Sequence, residues 1–264
     1  MKRIETIEEL QGLLLKIGME FHRICVKNNI PYYMLGGTQL GALRHQGFIP
    51  WDDDMDFGIP REHYERFINI AHNELAPQYT LRTMNNSNYI FNGMSKIELN
   101  TTVIEEYFAA DQEDKIGVFI DVFPLDKTNN DFGPFSKNKL LPLTGCFAGY
   151  RFMTLRNRPI YKKVVAVLVK CLLAPMTPKG YMRFVKKHLI TNEGEYFANH
   201  FGAWGIKETM PIRYFGEPKL YQFESTAFYG VSDSESYLTH LYGDWRQLPP
   251  EEKRKTHVVN MYYK

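Results

Sequence analysis

Between Thr6 and Asn28 the apolar residues Leu10, Leu14, Ile17, Phe21 and Ile24 recur at steps of three and four, the spacing of an amphipathic helix. Its apolar face should pack on a sheet. Ile30-Pro31-Tyr32-Tyr33-Met34-Leu35 is a short apolar and aromatic run ending at Gly36-Gly37, which reads as a buried strand and a tight turn. Thr38 is placed to cap a second helix, Gln39 to Gln46, with Gly47 closing it. Polar and apolar residues alternate from Asp54 to Ile59, the period of a strand with one buried face. Pro60 should end that strand and open a helix from Arg61 to Leu75. Two strands are expected at Tyr79 to Met84 and Met94 to Leu99, and the strongest at Gly117 to Phe123, which is β-branched and aromatic apart from Asp121 and ends before Pro124.

From Lys137 onward the pattern turns helical, over Leu140 to Arg156, Lys162 to Leu173 and Tyr181 to Leu189. Gly216 to Ser232 returns to strand-like alternation, and Ser234 to Tyr242 reads as a last helix before Pro249-Pro250. These elements predict an α+β fold, a mixed sheet with flanking helices and a helical insertion. The chain divides into a core over 1–128, a mainly helical part over 129–210, and a stretch over 211–264 that completes the core.

Composition narrows the picture. With 44% hydrophobic and 23% charged residues the chain is a soluble globular type. A net charge of +2, with the basic residues read as spread along the chain, argues against nucleic acid as a partner. Cys25, Cys146 and Cys171 are too few and too far apart for a disulfide framework or a paired metal site, so a reducing cytoplasm is expected. Glu5, Glu8 and Glu9 stand where a signal peptide needs an apolar run. The longest apolar run, Val164 to Met176, holds Lys170 and Pro175 and is shorter than the roughly 20 residues of a membrane-spanning helix. Together with Lys162 and Lys163, the stretch 161–176 fits either a core helix or peripheral contact at the inner face of a membrane.

The chemistry concentrates in Trp51-Asp52-Asp53-Asp54-Met55-Asp56-Phe57. Asp54 and Asp56, two apart on an expected strand, point to one face and suit two oxygen ligands on one Mg²⁺, with Mn²⁺ as the alternative ion. Asp52 and Asp53 rank below them, as outer ligands or as caps of the strand start. A calcium loop starting at Asp52 fails, because Phe57 stands where glycine is needed and His63 where glutamate is needed. His45, His63 and His257 lack the close pairing of a zinc site. The Gly36-Gly37-Thr38 turn between strand and helix would bring backbone N–H groups to a phosphate. Asp121, a lone carboxylate in an apolar strand, is the candidate third metal ligand or the base. Arg44 and Lys96 are candidate phosphate contacts.

The order of strand, glycine turn, helix, loop and Asp-x-Asp strand resembles the nucleotidyltransferase superfold. The string from Gly36-Gly37-Thr38-Gln39 through Arg44-His45-Gln46-Gly47-Phe48-Ile49-Pro50-Trp51 to Asp56 is more specific and resembles the LicD family. Phe119-Ile120-Asp121-Val122-Phe123-Pro124-Leu125-Asp126 and the stretch from Leu241-Tyr242-Gly243-Asp244-Trp245 to Arg254 extend the resemblance over most of the chain. The resemblance implies a nucleotidyltransferase-like core and transfer of phosphocholine from CDP-choline to a sugar of teichoic acid or lipopolysaccharide, with CMP released. The partners it implies are CDP-choline or a related CDP-alcohol and a lipid-linked or oligosaccharide acceptor. A choline headgroup calls for aromatic faces, and Trp204, Tyr242 and Trp245 are the candidates. A sugar-nucleotide glycosyltransferase and a non-catalytic nucleotide-binding protein stay open as alternatives.

Overall fold

The computed structural model describes residues 2–87, 93–106, 116–131, 133, 135–140, 143, 159–172, 174–175, 177–188, 190–254, 256 and 258–264. Helix α1 (Ile7–Lys27) starts at Thr6, whose hydroxyl accepts the Glu9 N–H, and buries the apolar stripe expected from its spacing. After β1 (Tyr33–Met34) comes α2 (Gly36–His45), then β2 (Asp56–Pro60), α3 (Arg61–Glu74), β3 (Tyr79–Arg82), β4 (Ser95–Leu99), β5 (Thr102–Glu106) and β6 (Phe119–Thr128). Then follow α4 (Ile160–Leu172), α5 (Pro178–His188), β7 (Tyr196–Ala198), β8 (Thr209–Pro211), α6 (Ile212–Phe215), β9 (Lys219–Phe223), β10 (Thr226–Gly230), α7 (Ser234–Tyr242) and β11 (Val258–Tyr263).

Seven strands form one mixed sheet in the order β1-β2-β6-β4-β3, with β7 added to the far end of β6 and β8 beside it. β2 and β6 run parallel, and the other pairs are antiparallel. β9 and β10 make a hairpin, and β5 pairs with β11. Phe57, Ile59, Ile97, Ile120 and Val122 join α1 and α3 in the larger core, around Phe21 and Phe67. The opposite face carries Leu35, Phe123 and Leu125, packed under Phe215, Tyr237, Leu238 and Leu241. Gly58 is needed there, because a Cβ would stand 2.8 Å from Leu35 Cδ1.

Several sequence expectations change. α2 begins at Gly36 after Leu35, so Thr38 lies inside the helix and does not cap it. The left-handed residue that ends α2 is Gln46, not Gly47. At Gly47 a Cβ would stand 2.0 Å from Glu224 Oε1 and would displace that side chain from the Phe48 N–H it accepts. β2 begins at Asp56, which leaves Asp54 on the approach to the strand. β6 does not stop at Pro124 but runs through it to Thr128. β4 pairs with β6 up to Val122 and β7 begins at Asp126, so the missing N–H of Pro124 falls where β6 changes neighbours. β5 and β11, which had no recognised pattern, pair across 150 residues of chain. The 129–210 stretch holds α4 and α5 but also β7 and β8, which tie it to the sheet. The expected helix Leu140 to Arg156, apart from Leu140 and Leu143, and Cys146 lie outside the described residues. No described helix is long and apolar enough to cross a membrane.

Candidate active site

The strand registers place three charged side chains in one row. Asp56 is paired directly with Asp121 across the parallel β2–β6 ladder, and Asp121 with Lys96 across the antiparallel β6–β4 ladder. Their neighbours Phe57, Ile120, Val122 and Ile97 point into the core, so alternation turns the row to the opposite face. Lys96 Nζ lies 2.5 Å from Asp121 Oδ1 and 3.6 Å from the centre of the Phe119 ring. The Thr38 hydroxyl accepts the Asp56 N–H at 2.9 Å, and the Asp56 carbonyl accepts the Leu35 N–H at 2.9 Å. Thr38 therefore fixes the metal-strand candidate to the glycine-turn helix, a role its position in the sequence did not suggest.

The aspartate loop is held from behind by Gln11 of α1, whose side-chain amide donates to the carbonyls of Ile49 and Asp52. Carboxylate oxygens of Asp52, Asp53 and Asp54 all come within 4.8 Å of one another. The glycine turn lies against them. Gly36 adopts φ +49°, and a Cβ there would stand 3.7 Å from both Asp56 Oδ2 and the Tyr242 hydroxyl. A Cβ on Gly37 would stand 2.7 Å from Asp52 Oδ2. The Gly36 N–H, read from the sequence as open to a phosphate, donates to the Tyr237 hydroxyl at 3.0 Å.

These groups line a cavity of about 810 Å³, whose far wall is made by Asn199, Trp204, Glu208, Tyr237 and Tyr242. Glu208 accepts the Asn199 side-chain amide at 2.6 Å and the Trp204 N–H at 2.8 Å. The Trp204 and Tyr242 rings meet edge to face, with centres 5.3 Å apart. Glu208, Asn199 and Tyr237 escaped the sequence reading. Glu208 is a single acid in a segment without period, and Tyr237 reads as one more apolar position of α7.

The electrostatics of the cavity are lopsided. Burial drives the Asp56 carboxyl well above the usual range, and Asp54, Asp121, Asp52 and Glu208 push it further. Burial raises Asp52 to about 8, with Asp54 and Asp53 adding to the shift. Asp121 is also raised by burial, against the pull of Lys96. Burial lifts Glu208 to about 7. Lys96 is the one basic residue among the described residues lining the cavity. So many carboxylates facing one space are stable together only when protonated or sharing a cation, and an all-oxygen donor set is the kind that holds Mg²⁺ or Mn²⁺. The residues present fit such an ion.

The remaining sequence candidates lie elsewhere. Arg44 does not line the cavity and donates to the Trp245 carbonyl at 2.9 Å and to His45 Nε2 at 3.0 Å. Trp245 is buried in the second core and carries the Arg246 guanidinium 4.2 Å from its ring centre. It does not line the cavity, whereas Trp204 and Tyr242 do. His63 sits on α3 beside Glu62, at 3.7 Å, and His257 lies outside the described residues.

Residues 29–144 match the family model described as LicD/FKTN/FKRP, nucleotidyltransferase domain. The chain is 30% identical to the lipopolysaccharide cholinephosphotransferase LicD of Haemophilus influenzae, over 100% of this chain and 99% of that protein. An uncharacterized Rickettsia typhi protein is 32% identical over 54% of this chain and 41% of its own length. A Rickettsia prowazekii protein, also uncharacterized, is 51% identical over 19% of this chain and 18% of its own.

Proposed function

The chain belongs to the LicD family, and on that premise we propose that it transfers phosphocholine from CDP-choline to a hydroxyl of a cell-surface glycan precursor, a lipopolysaccharide or teichoic acid sugar. The observation that carries the reading is the in-register Asp56–Asp121 pair beside the Gly36–Gly37 turn. We read the mixed sheet around it as nucleotidyltransferase-like, with 1–128 and 211–264 forming the donor site and 129–210 contributing to acceptor contact.

Asp54, Asp56 and Asp121 would hold Mg²⁺, or Mn²⁺, with Asp52 and Asp53 close enough to share in it. Such an ion supplies charge neutralisation for the donor diphosphate and the departing CMP. Gly36 and Gly37 leave the space beside the aspartates free of side chains, so the diphosphate can come up to the backbone. Lys96 adds a fixed positive charge at the same end and holds the Asp121 carboxylate in place. Trp204 and Tyr242 offer aromatic faces to the quaternary ammonium of choline. The acceptor oxygen attacks the phosphorus that bears choline, the bond from that phosphorus to CMP breaks, and the hydroxyl proton passes to a carboxylate. Glu208, near neutral in its proton affinity, is tuned for that transfer. Asp121 is already engaged by Lys96. We place the reaction in the cytoplasm.

Incubation with Mg²⁺, an oligosaccharide acceptor and, in parallel, CDP-choline, CDP-glycerol, CDP-ribitol or a UDP-sugar tests the reading. CMP release and phosphocholine on the glycan are expected. CMP from another CDP-alcohol alone would change the cargo, and UDP release without CMP would replace the reaction by glycosyl transfer.

A further inference from the structure

Helix α4 turns its apolar side outward. Ile160, Tyr161, Val164, Val167, Leu168 and Leu172 follow one another at single-turn spacing on one face, with exposures from 46% at Val167 to 80% at Ile160. Ala166 and Val169, buried on the other side, stand among Lys162, Lys163 and Lys170. A helix lying in water would show the reverse arrangement, and an apolar stripe of this length on a surface marks a contact with something other than water.

Charge says what kind of contact. From residue 132 to residue 192 the sequence holds twelve Lys and Arg and no Asp or Glu, whereas the rest of the chain holds twenty basic and thirty acidic residues. The +2 net charge hides this division, and basic residues that looked spread out are concentrated in a stretch whose own sequence holds no acid. α5 adds Lys179, Arg183 and Lys187 around the half-exposed Phe184, while Lys186 is bound to Glu65 at 2.6 Å. α4 has 13 residues, against the roughly 20 of a spanning helix, so it can lie along a bilayer but not cross it.

We propose that α4 seats this protein on the surface of an anionic phospholipid bilayer, with its apolar stripe at the acyl boundary and Lys162 and Lys163 of the same helix among the lipid phosphates. An RNA surface would match the charge but leave the apolar stripe in water. The proposal is independent of the phosphocholine reading, because none of these residues lines the cavity.

Vesicle flotation of the full chain tests it, with vesicles of phosphatidylcholine alone or of phosphatidylcholine and phosphatidylglycerol. The wild type should float with the anionic vesicles, should stay behind with the neutral ones, and should be released by high salt. Val164→Glu with Leu168→Glu should cut the bound fraction at least tenfold with an unchanged melting temperature. Lys162→Gln with Lys163→Gln should weaken binding by roughly fivefold per lysine. Failure of the wild type to float, equal flotation of the Val164→Glu, Leu168→Glu protein, or retention by RNA without flotation would overturn the proposal.

Discussion

The two walls of the cavity are built differently. The sheet wall sets Asp56, Asp121 and Lys96 in one row by strand register, and a one-residue slip would turn them into the core. The far wall takes Glu208 from a 3₁₀ segment (Gly205–Glu208), Trp204 from the residue just before it, and Tyr237 and Tyr242 from α7, each held by its own hydrogen bonds or ring contacts. The sheet wall carries dense like charge that calls for a cation. The far wall carries aromatic faces with a single acid. On this reading the first positions the phosphates and the second distinguishes the alcohol and handles the acceptor proton.

Substitutions can pull the walls apart. The largest effect is expected from Asp56→Asn, a loss of about 10³-fold or more in kcat at saturating Mg²⁺, several kcal/mol at ~1.4 kcal/mol per tenfold. In chelator the same protein should melt higher than the wild type, because one member of a repelling cluster is gone. A fall in activity together with a fall in metal-free stability would mean simple unfolding.

Glu208→Gln should lower kcat by about 10²-fold and abolish the acid limb near pH 7. Its effect on stability has a definite sign. Folding raises the Glu208 carboxyl from an ordinary 4.5 to about 7, so the folded state holds a proton that the unfolded chain has lost. That contribution is full below about pH 4.5 and fades as pH rises to about 7. Melting temperature in chelator should therefore drop less steeply over this window in Glu208→Gln than in the wild type.

Lys96→Met should cost about tenfold to a hundredfold in kcat/KM, since it strips Asp121 of its partner while leaving the strand intact. Trp204→Ala should have the smallest effect, about a tenfold rise in KM for CDP-choline with little change for CDP-glycerol. Equal losses for both donors would remove Trp204 from headgroup recognition.

The sheet wall was legible in the sequence because its logic is local. Period-two alternation beside a glycine turn brought Asp56 forward, and a lone carboxylate in an apolar strand brought Asp121 forward, before any contact was known. α1, α3 and α7 were legible for the same reason, with apolar spacing and a capping residue or proline marking their ends. What failed depends on distant partners. Pro124 looked like a terminator, and only the change of neighbours along β6 explains its place inside the strand. β5 and β11 show no internal signal strong enough to reveal their pairing. Glu208 becomes a site residue only because β8 and the 3₁₀ segment bring it over the aspartates. Arg44, by contrast, had the right charge near the right motif, yet it spends its hydrogen bonds on the Trp245 segment.

The central claim is that the Asp56–Asp121 row and the aspartate loop bind the donor through a shared divalent ion. Calorimetric titration of CDP-choline into the protein, with Mg²⁺ or with chelator, tests this most directly. The account predicts binding that weakens at least about a hundredfold in chelator, and an Asp56→Asn protein that binds equally weakly in both. Equal affinity with and without Mg²⁺ in the wild type, or an Asp56→Asn protein that keeps the Mg²⁺ dependence, would contradict it.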